Sequence, residues 1–190
     1  MGNVDVGVTL LSFIWALALT RLLECWRDLW VARQRVRTSA SQLLWMAAIL
    51  LISVLSWLPL GVLGDRLQGW VFVTMLAYAI GIYFAAAMVS PKVPDAGPLD
   101  LAEYETREGG AYKATVVVLM LLSLPLNQVL ATGDGPPPAF WAFAASQWFV
   151  VLVAGAALVS LRPGAQSRTI CAAVVLGLAA FVLARNLSLV

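Results

Sequence analysis

TSASQLLWMAAILLISVLSWLPLGVLG (residues 38–64) and LQGWVFVTMLAYAIGIYFAAAMVSP (residues 67–91) contain no Asp, Glu, Lys or Arg. A helix that crosses the hydrocarbon of a bilayer needs about 20 predominantly apolar residues. Each of these stretches is long enough, and only Asp65 and Arg66 separate them. Working outward, further charge-free runs occupy 6–20, 114–133, 135–161 and 169–184. The first and last are short, and Arg21 and Arg185 stand where a long side chain snorkels to the interface. Backbone groups in lipid must bond one another, so these runs are expected to be helices. The alternating segments of about 10 residues that mark a membrane β-barrel do not appear. The sequence therefore predicts an all-α fold, a polytopic transmembrane bundle of six helices with short loops. It forms a single transmembrane domain over 1–190, with spans near 6–24, 42–63, 69–90, 113–132, 139–161 and 169–189. Three spans per half would make halves 1–3 and 4–6 inverted relative to each other, as in many transporters.

Composition agrees. Of 190 residues, 62% are hydrophobic and 12% charged, against about 25% charged in soluble domains. The net charge of +2 leaves no basic surface for a nucleic-acid partner. Nine of the twelve Lys and Arg fall in loops on one side: Arg27, Arg33, Arg35 and Arg37, then Lys92, Arg107 and Lys113, then Arg162 and Arg168. The positive-inside rule makes that side cytoplasmic and puts both termini outside. Met1–Asp5 lacks the basic residues of a secretory signal, so the first span reads as uncleaved. Cys25 and Cys171 read as apolar fillers near the cytoplasmic helix ends.

Between spans the breaks are chemical. Gly61, Gly64 and Asp65 end the second; Pro91, Pro94, Gly97 and Pro98 end the third; GDGPPP (133–138) turns the fourth into the fifth. Polar residues gather in two places. The continuation of the first helix puts Leu22, Trp26, Leu29, Trp30 and Arg33 on one side and Arg21, Glu24, Cys25 and Asp28 on the other. Arg21, Glu24 and Asp28 form a candidate cytoplasmic cluster, either a solvated face with an Arg21–Glu24 pair or the mouth of a cavity. On the outer side Asn127, Gln128, Gln147, Arg185 and Asn186 form a candidate polar cavity between spans four, five and six, the alternative being plain interhelical hydrogen bonding. Gln147 is expected about 12 Å down the fifth span. DLAEYETRE (100–108) reads as a short loop helix held by Glu103 and Arg107 and broken by Gly109-Gly110. Ala77, Gly81 and Ala85 form a small-residue stripe for packing inside the bundle, or against a second copy or a membrane-protein partner.

Absences narrow the chemistry. Histidine is missing altogether, which removes the commonest general base, serine triads and His-ligated metal or haem. No P-loop or dinucleotide fingerprint occurs, and no lysine is expected in mid-span for a Schiff base. No catalytic, cofactor-binding or metal-binding residue is assigned, and no cofactor is expected.

Leu19-Thr20-Arg21-Leu22-Leu23, Leu43-Leu44-Trp45 with Ser56-Trp57, and Asp100-Leu101-Ala102-Glu103-Tyr104 resemble segments of an uncharacterised family of bacterial inner-membrane proteins with about six transmembrane helices. That resemblance implies a multi-pass protein of the bacterial cytoplasmic membrane and no activity. In such sequences a His- or Arg-rich aromatic stretch follows the tyrosine; here Thr106-Arg107-Glu108-Gly109-Gly110 stands instead. Three functions fit the residues: a small-molecule or ion transporter or channel component; a structural or accessory subunit of a larger membrane complex; and an enzyme using Glu24, Asp28, Glu103 or Glu105 on lipid-linked substrates. The first is favoured and the last least, because no acid/base pair is specified.

Overall fold

The structure, a computed structural model, describes residues 3–57, 69–94, 97–132, 147–161 and 164–187. Its helices are α1 (Asn3–Val31), α2 (Ala40–Trp57), α3 (Trp70–Val89), α4 (Leu101–Thr132), α5 (Trp148–Val159) and α6 (Ala165–Leu187). Five of them, α1 to α4 and α6, are long and apolar enough to cross a membrane; the 12 described residues of α5 are fewer. Large apolar side chains face outward, among them Phe13, Val73, Phe84, Leu121, Ile170 and Phe181. Such a surface suits hydrocarbon and not water. The chain is all-helical among its principal elements, and five of its helices fit a membrane by length and composition.

α1 lies along α3, α3 along α4, α4 along α5, α5 along α6, and α6 along α2, which also touches α1, α3 and α4. The inward stripe of α1 is Leu11, Trp15, Ala18, Leu22, Cys25 and Leu29, all buried. This alternating spacing of four and three residues is that of a packed helix seam. It corrects the expected division of the helix: Cys25 enters the core, with Sγ donating to Pro91 O at 3.5 Å, while Trp26 and Trp30 face outward. Trp15 is buried, whereas Trp57 and Trp148 are exposed.

The C-terminal ends of α1, α3 and α5 meet the N-terminal ends of α2, α4 and α6. We call this the basic end, because Arg27, Arg33, Arg35, Arg37, Lys92, Arg107 and Arg168 lie on it. A two-residue parallel pair closes it, β1 (Val36–Arg37) on β2 (Leu99–Asp100), with Val36 opposite Leu99. Asp100 then starts α4. Its Oδ1 accepts from the amides of Ala102 (2.8 Å) and Glu103 (3.2 Å), an N-terminal cap for otherwise unpaired donors. Arg37 Nη1 reaches Asp100 Oδ2 at 3.3 Å.

Two expectations about α4 are corrected. Its helix does not break at Gly109-Gly110 but runs unbroken from Leu101 through Pro125 to Thr132, because burial on α2, α3 and α5 outweighs the weak helix propensity of two glycines. Arg107 pairs with its neighbour Glu108 at 3.1 Å and not with Glu103. The small-residue stripe is divided: Ala85 is buried and Ala77 exposed. At Gly81 a Cβ would lie 2.6 Å from Leu119 Cδ2, so α3 and α4 pack closely here and a side chain at this position would displace Leu119.

Gly81→Leu is expected to cost about 1–3 kcal/mol by overpacking, with Ala77→Leu near neutral; thermal unfolding in detergent compares them. The amides of Glu103 and Ala102, with Arg37 alongside, hold the Asp100 carboxyl below its usual pKa. A lowered folded pKa gives stability that is present above the ordinary carboxylate range and is lost as pH falls through the folded value. The melting-temperature advantage of wild type over Asp100→Asn should therefore shrink on acidification.

Candidate functional site

Inside the basic end, α4 carries two opposite charges into the apolar bundle. Lys113 Nζ donates to Glu105 Oε1 at 2.9 Å, and the two side chains are 2% and 3% exposed. They stand eight residues apart, about two helical turns. Long helical side chains point toward the N-terminus, so Lys113 reaches back over Gly109. A Cβ on Gly109 would lie 3.3 Å from Glu105 Cγ and 3.4 Å from Lys113 Nζ. Glycine at this position leaves the pair room to close across an intervening turn.

The neighbouring helices complete the site. Ser41 Oγ donates to Glu105 Oε1 at 2.8 Å, and Ser39 Oγ lies 3.5 Å from Oε2. The ammonium sits 5.8 Å from the Trp45 ring centroid and 5.6 Å from that of Tyr112, within reach of both π faces. Tyr112 OH donates to Gln42 Oε1 at 3.0 Å, and Gln42 Nε2 donates to Val89 O at 2.7 Å. Tyr104 OH donates to Met88 O at 2.7 Å. Met88 and Val89 close α3, so these side chains take up carbonyls that a helix end leaves unpaired. The network ties α2, α3 and α4 together. The Trp45 Nε1–H has no acceptor among the described residues; Trp45 contributes its ring.

Beside the pair lies a cleft of about 310 Å³ between α4, the end of α5 and the start of α6. Glu105, Lys113, Thr106, Gly110, Ser160 and Arg168 line it. Arg168 donates to Thr106 Oγ1 and to Gly164 O, both at 3.4 Å. No carboxylate pairs with it among the described residues. A Cβ on Gly110 would meet nothing within 4 Å, so this glycine leaves the cleft open. The volume is at the lower end for small-molecule pockets.

The residues singled out from sequence are elsewhere or only partly brought together. Asn127 Nδ2 donates to Gln147 Oε1 at 2.8 Å, joining α4 to the start of α5. Gln147 immediately precedes Trp148, the first residue of α5; residues 139–146, which would set its depth in the fifth span, lie outside the described residues. The side chains of Gln128, Arg185 and Asn186 lie outside the described residues, as do residues 58–68 and 133–146 altogether. On α1, Glu24 is exposed and Arg21 and Asp28 half-buried. Asp28 pairs with Arg27 at 2.8 Å, and no ion pair joins Arg21 to Glu24 among the described residues. From sequence, Glu105 is expected in a short loop helix and Lys113 in a loop; both instead lie within the long helix α4. The missed signal was the glycine between them.

No protein-family model, curated protein or solved structure matches this chain.

Removing one partner of a buried pair strands the other charge and costs about 3–5 kcal/mol, whereas replacing both by apolar groups is often near neutral. Glu105→Met and Lys113→Met should each unfold at markedly lower temperature, and the double variant should recover most of the loss. A thermal double-mutant cycle in detergent reads this directly.

Proposed function

We propose that this chain is a small-molecule or ion transport protein whose working centre is the Glu105–Lys113 pair and the cleft beside it. One observation carries the reading: a carboxylate and an ammonium are buried in a membrane-spanning helix and border a cleft. Ionised groups at such depth are costly, and they commonly mark substrate or ion paths. An accessory subunit needs packing surfaces and has no use for such a pair. The pair also lacks what an enzyme on lipid-linked substrates requires, because each charge is already committed to the other. We assign it no catalytic residue.

The reading takes the membrane to be a bacterial cytoplasmic membrane and the basic end to face the cytoplasm, with both termini outside, on the strength of the Arg-rich loops. It does not rest on inverted halves. Those would set α4 against α6 as α1 is set against α3, whereas α4 lies along α5 and α5 along α6. Nor does it require a second copy, because Gly81 and Ala85 already pack within the chain.

The test is uptake into proteoliposomes bearing the purified chain, offered a mixture of small metabolites and inorganic ions and read by mass spectrometry. At least one solute should accumulate with wild type and not with the Glu105→Met, Lys113→Met double variant. Equal uptake by both, or none by either, would remove the transport reading.

A further inference from the structure

We infer that the cleft is a binding site for a small oxyanion, a carboxylate or phosphate group. The inference rests on the reading of that cleft as the working centre and names the class of ligand it takes. Charge is the first argument. Glu105 is neutralised by Lys113 at 2.9 Å and accepts from Ser41 as well. Arg168 is left over, a guanidinium on the cleft wall whose partners among the described residues are a hydroxyl and a carbonyl at 3.4 Å. Among the described residues, the lining therefore carries one positive charge in excess.

Donors are the second argument. A guanidinium has five N–H donors and an ammonium three. Lys113 gives one of its three to an oxygen atom, and its other neighbours are ring faces. Ser160 and Thr106 already donate to Ala157 O and Ala102 O, which leaves Arg168 and Lys113 as the donors. Gly164 also lines the cleft and immediately precedes α6; the positive end of a 23-residue helix thus adds to the same field. Space is the third argument. Gly110 sits in mid-helix, where glycine weakens the helix, and the room a side chain would take is empty. An oxyanion between Arg168 and Lys113 competes with Glu105 for the ammonium.

Calorimetric titration of the full chain in detergent with inorganic phosphate, at low ionic strength, tests this. Saturable binding is expected. It should weaken about tenfold or more in Arg168→Gln, the loss of a charge-assisted bond, and disappear in Gly110→Leu, whose melting temperature should not fall. Glu105→Gln, if it folds, should bind phosphate more tightly. The same titration in nanodiscs of phosphatidylcholine, with and without phosphatidylglycerol, separates the sources of the group. A soluble anion binds equally in both. A lipid headgroup makes phosphatidylglycerol suppress phosphate binding and co-purify with wild type but not with Arg168→Gln. Absence of phosphate and phosphatidylglycerol binding, or binding indifferent to Arg168→Gln and Gly110→Leu, overturns the inference. If solute uptake survives in those two variants while phosphate does not bind, the transport reading stands without the anion site. If phosphate binds as described while wild type takes up no solute, the site stands without the transport reading.

Discussion

An ammonium and a carboxylate on one helix, both almost wholly removed from solvent, have to be answered by each other and by the helices around them. Each is tolerable in the interior only because of the other. Their spacing of eight residues works because Gly109 puts no side chain between them. Their remaining needs are met from outside the helix, by Ser41 and Ser39 for the carboxylate and the rings of Trp45 and Tyr112 for the ammonium. The same groups reach on through Gln42 to the last carbonyls of α3. Meeting the demands of one ion pair therefore links α2, α3 and α4 through side-chain hydrogen bonds.

The two adjacent glycines of α4 divide the work. Gly109 faces inward and admits the pair; Gly110 faces the cleft and keeps it open. Each weakens the helix relative to alanine, and the surrounding bundle offsets that weakness by packing. A sequence selected only for stability would fill the Gly110 position, which has room for a larger residue. The site proposed here is thus consistent from the backbone up: a continuous helix, a glycine gap, a buried pair, and across an open space a guanidinium with no carboxylate partner among the described residues.

Much of the fold was legible in the sequence and most of the site was not. Runs such as 38–64 and 67–91 show helices by length and apolarity alone, and α2 and α3 lie within them. Charges hid the rest. Lys113 and Glu105 read as loop residues because a pair eight apart has no place in the rule that helix neighbours are three or four apart. Gly109-Gly110 read as a break because propensity is local, whereas the packing that overrides it comes from α2, α3 and α5. The contact between Asn127 and Gln147 was anticipated in kind, as polar residues near facing helix ends. Arg21, Glu24 and Asp28 drew attention by sequence proximity, yet the inward side of α1 at that level is Leu22, Cys25 and Leu29.

A cleft at the basic end borders the buried pair on α4, and water entering it would reach Gly110. Labelling of Gly110→Cys in membrane vesicles by a charged, membrane-impermeant thiol reagent measures this most directly, with Val118→Cys on the outward apolar face as reference. The account predicts fast labelling of Gly110→Cys from the side bearing the Arg-rich loops and none of Val118→Cys. Labelling of Gly110→Cys as slow as the lipid-facing reference, or from the opposite side, would contradict it.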